Sequence, residues 1–224
     1  KFCSFRLRNS LVQANAQTWQ SIESAIEKDV LRTDRQHPFY ESTENLETLQ
    51  YNKSILMFAS WRCMSDLLAP LLTIIQEESC AFWCFAGLMQ GTVYINAARN
   101  RNNMERNVEY LRGLLRVTYG EFYEYLEAFG GDSLQLLFVH RWILLCFKRE
   151  FPEEDVLRIW ETCWTNYGTL YFHIFVALAI ITVYGKEPLR QRMTHDEILL
   201  YFSSLSMHMN VDVVLKKVSG LFLS

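Results

Sequence analysis

MERNVEYLRGLLRV (Met104–Val117) places Met104, Val108, Leu111 and Leu115 three or four residues apart, with Glu105, Arg106, Arg112 and Arg116 between them. Apolar residues at that interval line one side of an α-helix and leave the charged ones facing water. The same period recurs in both directions. Phe122, Leu126 and Phe129 form a short successor that Gly130-Gly131 ends, since glycine accepts the left-handed turn after a helix. Pro152 followed by Glu153, Glu154 and Asp155 opens another helix, because proline suits the first turn and acids suit its positive end. That helix carries Val156, Ile159, Trp160 and Cys163. Thr194 and Glu197 match a capping box ahead of Ile198, Tyr201 and Leu205, and Asn210 can cap a last helix with Val214, Val218 and Leu221.

Upstream, Met64–Gln76 is nearly all apolar beyond Ser65 and Asp66, and Ser79–Gln90 carries Phe82, Trp83 and Phe85, so both are predicted to be buried on more than one face. Leu46, Leu49 and Leu56 follow a His37-Pro38 break, and Trp19, Ile22 and Ile26 precede it. Val93-Tyr94-Ile95 is the one strand-like trio, too short to found a sheet. The pattern predicts an all-α protein of nine or ten helices.

A chain of 224 residues, half of them hydrophobic, is long enough to bury one sizeable core, so a single large domain is expected. A net charge of -3 supplies no global attraction to nucleic acid or to an anionic membrane, and no nucleic-acid partner is expected. The six cysteines sit mostly among apolar residues and read as buried, reduced thiols. Cys80 and Cys84 lie four apart on a predicted helix without a histidine or second cysteine pair beside them, so no metal site is expected. LYFHIFVALAIITVY (Leu170–Tyr184) falls short of the ~20 residues that span a bilayer and reads as a core helix, so no transmembrane segment is expected, and no signal-type opening supports secretion. Gly-rich phosphate loops and nucleophile elbows are missing, so no cofactor is expected. His140 and His173 lie among leucines and other apolar residues and read as structural groups.

IEKDVLRTDR (Ile26–Arg35) crowds Glu27, Lys28, Asp29, Arg32, Asp34 and Arg35 into the end of an amphipathic pattern. A solvated helix end with an i,i+3 Asp29–Arg32 pair accounts for it. So does a guanidinium steadied by a carboxylate and offered to a phosphoryl group, which its planar fork and fixed charge suit. Spacing leaves both readings open.

IEKDVLRT resembles the I-x-x-D-x-x-R-T motif of the TBC domain, the helical GTPase-activating domain that acts on Rab proteins. MSDLLAPLL (Met64–Leu72) and AFWCFAGLM (Ala81–Met89) are similar to the segment after that family's second motif. HRWILLCFKREFP (His140–Pro152) with Ile159-Trp160 resembles its R-W-x-x-x-x-F-x-R-E-F…W signature. The likeness runs in order over residues 19 to 222, and later wording such as SMHMN (Ser206–Asn210) resembles one member in particular.

The resemblance implies an all-helical TBC domain over 16–224 behind an N-terminal remnant, 1–15, in which the family's opening segment is not recognisable. It implies activation of a GTP-bound Rab in membrane traffic, by a cytoplasmic protein that its Rab recruits to endomembranes, with the chemistry done in the partner's active site. Arg32 takes the place of the arginine finger, Asp29 orients it, and Thr33, Arg35, Met64 and Asp66 fall in the Rab groove. The family's second motif, Y-x-Q followed by glycine, is missing: in SILMFASWRCMSDL (Ser54–Leu67) the connection is shorter, Arg62 stands where the glutamine is expected and Cys63 replaces the glycine. A weakened activator is therefore expected, with a non-catalytic Rab-binding module as the alternative.

Overall fold

The structure, a computed structural model, describes residues 24, 27–28, 30, 33–34, 37–57, 65–91, 101–165, 169 and 171–222, and most of them are helical. Among these residues there is no strand. Val93-Tyr94-Ile95 and the Trp19–Ile22–Ile26 pattern lie outside them. The chain divides into two compact units, Lys1–Gly91 and Thr92–Ser224.

In the first unit a 3-10 turn, Pro38–Glu41, leads into α1 (Thr43–Met57), α2 (Ser65–Ile75) and α3 (Glu78–Gly91). The His37-Pro38 break is this turn. His37 caps it, its Nδ1 accepting the Phe39 N–H at 3.2 Å, and Pro38 fills the first position, where a missing donor costs nothing. All of Ser65 to Leu72 is buried, as expected for α2. α3 differs. It buries the single stripe Ala81, Phe85 and Met89, while Trp83 is 63% exposed. One i,i+4 stripe is what α3 presents to α1 and α2, so the expectation of burial on several faces fails there. Cys80 and Cys84 share the outward side, so they are exposed and not the buried thiols the sequence suggests.

The second unit comprises α4 (Arg101–Thr118), α5 (Gly120–Glu127), a 3-10 turn at Ser133–Gln135, α6 (Leu137–Leu144), α7 (Glu153–Trp164), α8 (Phe172–Tyr184), α9 (Lys186–Gln191), α10 (His195–Ser204) and α11 (Val211–Phe222). α8 is the core helix, buried at Phe172 to Ile174 and Val176 to Ile181, with α4, α6, α7 and α11 around it. With α9 it forms a continuous 20-residue helical stretch, Phe172–Gln191, long and apolar enough to cross a membrane, yet 61% of its apolar window is buried inside the protein.

The opening stripe holds: Val108, Leu111 and Leu115 are buried and face this core. Gly130 and Gly131 both take the left-handed conformation, φ 66° and 54°, which turns the chain beyond α5 at a place where a Cβ would be strained. The capping box on α10 forms, and the Asn210 side-chain oxygen accepts the Val213 N–H at 3.1 Å. Phe202 of α10 stacks on Phe138 with ring centroids 4.4 Å apart and meets Trp142 edge-on at 5.7 Å, tying α10 to α6.

Candidate functional site

The arginine-bearing motif ends in a sequence of tight turns. Val30 is helical and buried, and its carbonyl accepts the Thr33 N–H at 3.2 Å. Asp34 has φ 44°, a left-handed conformation that aspartate tolerates better than most residues. The Asp34 carbonyl accepts the His37 N–H, and the His37 carbonyl accepts the Tyr40 N–H, each at 2.9 Å. Tyr40 then reaches a different element: its ring is buried and its hydroxyl donates to the Ala69 carbonyl of α2 at 2.7 Å.

Of the residues that sequence reasoning places at the site, Thr33 and Asp66 are described and both are buried, 3% and 5% exposed. Asp66 stands in the first turn of α2, where a carboxylate suits the positive helix end, and Ala69 lies one turn further on. The structure thus draws the turn after Arg32 and the start of α2 into one neighbourhood of the first unit through Tyr40. Asp29, Arg32, Arg35 and Met64 lie outside the described residues, as does the Arg62-Cys63 substitution. Sequence reasoning passed over Tyr40. The signal was a tyrosine two residues after a proline break, whose hydroxyl needs a partner once the ring is buried.

The R-W-x-x-x-x-F-x-R-E-F signature is a clasp within the second unit. Arg141 Nε and Nη2 donate to the two oxygens of Glu150 at 2.8 and 2.9 Å, a bidentate pair joining the end of α6 to the segment before α7. Trp142, Phe147 and Phe151 are buried beneath it. α6 ends because Cys146 and Phe147 are both left-handed, φ 49° and 64°, and the Phe147 N–H donates back to the Trp142 carbonyl at 2.8 Å. Trp160 of α7 holds the bend, its indole N–H donating to the Cys146 carbonyl at 2.6 Å. SMHMN closes over the clasp: the Met207 N–H donates to the Glu150 carbonyl at 2.9 Å and the Ser206 hydroxyl to the Arg149 carbonyl.

Electrostatics agree with a structural role for this unit. Burial raises the Glu150 carboxyl above its ordinary range, and Arg141 opposes that rise. Burial pushes the Cys163 thiol up to about 12 and raises that of Cys146 as well, so neither supplies a thiolate near neutrality. His173 is pulled down to about 3 by burial and stays neutral, while a ring nitrogen of His140 lies 3.1 Å from the Gln135 carbonyl, in keeping with the structural roles expected of both. Among the described residues no three His, Cys, Asp or Glu side chains gather as a metal site.

With this geometry in hand, comparison with known proteins is informative. Residues 7–189 match the Rab-GTPase-TBC domain family. TBC1 domain family member 16 of Homo sapiens, the member that the later segments resemble, is 44% identical over 210 residues, covering 91% of this chain and 27% of that protein. TBC1 domain family member 17 of Mus musculus is 36% identical, covering 96% of this chain and 33% of that protein. GTPase-activating protein gyp7 of Schizosaccharomyces pombe is 34% identical, covering 81% and 27%. The chain therefore spans about a quarter to a third of the length of these relatives. In fold it is similar to the Ypt/Rab-GAP domain of Gyp1p, with a TM-score of 0.74 at 18% identity over 98% of this chain and 80% of that one. The Chlamydomonas flagellar RabGAP TBC domain gives 0.73 at 20% identity over 95% and 71%. A helical period throughout, motifs in order and a match over most of the length lead to one conclusion: the chain belongs to the Rab-GTPase-TBC domain family.

Proposed function

We propose that the chain stimulates GTP hydrolysis by a GTP-bound Rab, through one TBC domain over 16–224 that inserts Arg32 into the partner's active site. The observation that carries this reading is Asp29-x-x-Arg32-Thr33 within a chain of this family. Charge spreads over the γ-phosphoryl oxygens in the transition state, and an arginine supplied in trans is worth ~10³ to 10⁵ in rate. Asp29, three residues before Arg32, orients the guanidinium, and Thr33, Arg35, Met64 and Asp66 belong to the groove. The chain acts on the active site of its partner and carries no reaction centre of its own. Its place is the cytoplasm, at whichever endomembrane holds its Rab.

Arg62 and Cys63 stand where a glutamine and a glycine would complete the second finger. Because the two fingers act on one transition state, the chain is a weak activator. The same substitution favours a second reading, a Rab-binding module without catalysis.

Single-turnover GTP hydrolysis across a Rab panel tests both. Arg32→Ala abolishes the stimulation and leaves the melting temperature nearly unchanged. Replacing Ser60–Cys63 by a longer loop with a tyrosine, a glutamine and a glycine before Met64 raises the rate at least about tenfold, ~1.4 kcal/mol of barrier. Stimulation that survives Arg32→Ala overturns the finger assignment. A Rab that binds without any acceleration, with or without the loop, leaves the binding module.

A further inference from the structure

We infer that Tyr40 is a positioning residue for the arginine finger: its buried hydroxyl fastens the turn that follows Arg32 to helix α2, and so sets where the guanidinium is presented. The inference rests on the activator reading above and adds a residue to it.

Three observations carry it. Between the motif and Tyr40 the described residues are joined by three short-range hydrogen bonds, from the Thr33 N–H to the Val30 carbonyl, the His37 N–H to the Asp34 carbonyl and the Tyr40 N–H to the His37 carbonyl. These bonds link Tyr40 back, turn by turn, to Thr33, the residue that follows Arg32 in the chain. Second, the far end of the path is held at a stiff place. Ala69 lies in the fully buried stretch of α2, beside Pro70, whose ring fixes its own φ inside the helix. The Tyr40 hydroxyl spans 29 residues to reach that carbonyl at 2.7 Å. Third, Tyr40 is 2% exposed, with the Phe39 ring edge-on at 5.1 Å and the His37 ring at 6.1 Å. It has no surface to offer a partner, so any effect on the reaction passes through what it holds.

Tyr40→Phe removes the hydroxyl and keeps the ring, and with it the aromatic packing. If the anchor sets the finger, this variant binds Rab as before but aims the guanidinium less well. A misplacement of 1 Å costs a reaction roughly 10²-fold, so a shift of several tenths of an ångström lowers kcat about tenfold. The experiment is single-turnover stimulation on the Rab that the wild-type chain acts on, as a function of chain concentration, together with amide hydrogen exchange on the chain alone. The expected result is a kcat about tenfold lower with KM unchanged, and faster exchange at the His37 and Tyr40 amides. A Tyr40→Phe variant with wild-type kcat overturns the inference, and so does a loss in which KM rises in step with the fall in kcat, since that marks general loosening of the groove. Unchanged exchange at His37 and Tyr40 overturns it whatever the kinetics. A wild-type chain that accelerates no Rab is a different failure: it removes the activator reading itself, and this inference with it.

Discussion

Removing the guanidinium of Arg141 isolates what the R-W-x-x-x-x-F-x-R-E-F signature does. Glu150 is fully buried, and both of its oxygens accept from Arg141, at 2.8 and 2.9 Å. Hydrogen bonds to charged groups contribute ~1.5–3 kcal/mol each, and losing one partner leaves the other desolvated. The Arg141 side chain is itself 41% exposed, so water replaces part of the interaction. The expected loss in Arg141→Met is therefore about 2–3 kcal/mol at pH 7, below the sum of two such bonds. In a protein of this size that lowers the melting temperature by about 5–10 °C. Acid should soften the defect. Burial already raises the Glu150 carboxyl, so its contribution to stability is complete below the ordinary glutamate range and is lost as pH rises through the folded value. Without Arg141 the carboxyl is raised further, and the loss reaches closer to neutrality. Urea unfolding followed by tryptophan fluorescence, at pH 7 and pH 5, should give a larger destabilisation at pH 7. In a Glu150→Gln background, Arg141→Met should cost less than about 1 kcal/mol, because no charge is left stranded. An equal cost in both backgrounds, or one that does not shrink in acid, would refute the account of the clasp.

Two further perturbations probe the core helix. A Cβ on Gly185, at the junction of α8 and α9, would clash with the Ile181 carbonyl oxygen and lie 3.3 Å from the Tyr119 ring, so Gly185→Ala should cost about 1–3 kcal/mol in thermal melts. Wild-type stability there would show that the junction gives way at no cost. His173 is held down to about 3 by burial, so the stability it contributes is complete above its ordinary value and falls away as pH drops from there toward the folded one. His173→Phe should reduce the wild-type loss between pH 7 and pH 5 by about 2 kcal/mol, and an unchanged pH slope would refute it.

What the sequence by itself determined is what short-range bonds and periods encode. The stripe of Val108, Leu111 and Leu115, the Gly130-Gly131 stop, the Thr194–Glu197 capping box and the His37-Pro38 break all stand as read, because each depends on residues within about two helical turns of one another. The motif IEKDVLRT, legible as a string, led to the family, although where the Arg32 side chain points is not written in it. Tertiary structure decided the rest. Arg141 and Glu150 pair across nine residues because two successive left-handed residues, Cys146 and Phe147, fold the chain back at that point, and Trp160 from the next helix holds the bend. Neither conformation is encoded by a glycine, so the sequence offered no sign of it. α3 buries one stripe and exposes Trp83, Cys80 and Cys84, although its composition suggested burial all round. Composition says how much apolar surface a helix has, and only the neighbours that arrive say how much of it is covered. The hydroxyl of Tyr40 found the Ala69 carbonyl for the same reason: a buried tyrosine must donate somewhere, and the place is chosen by chain closure.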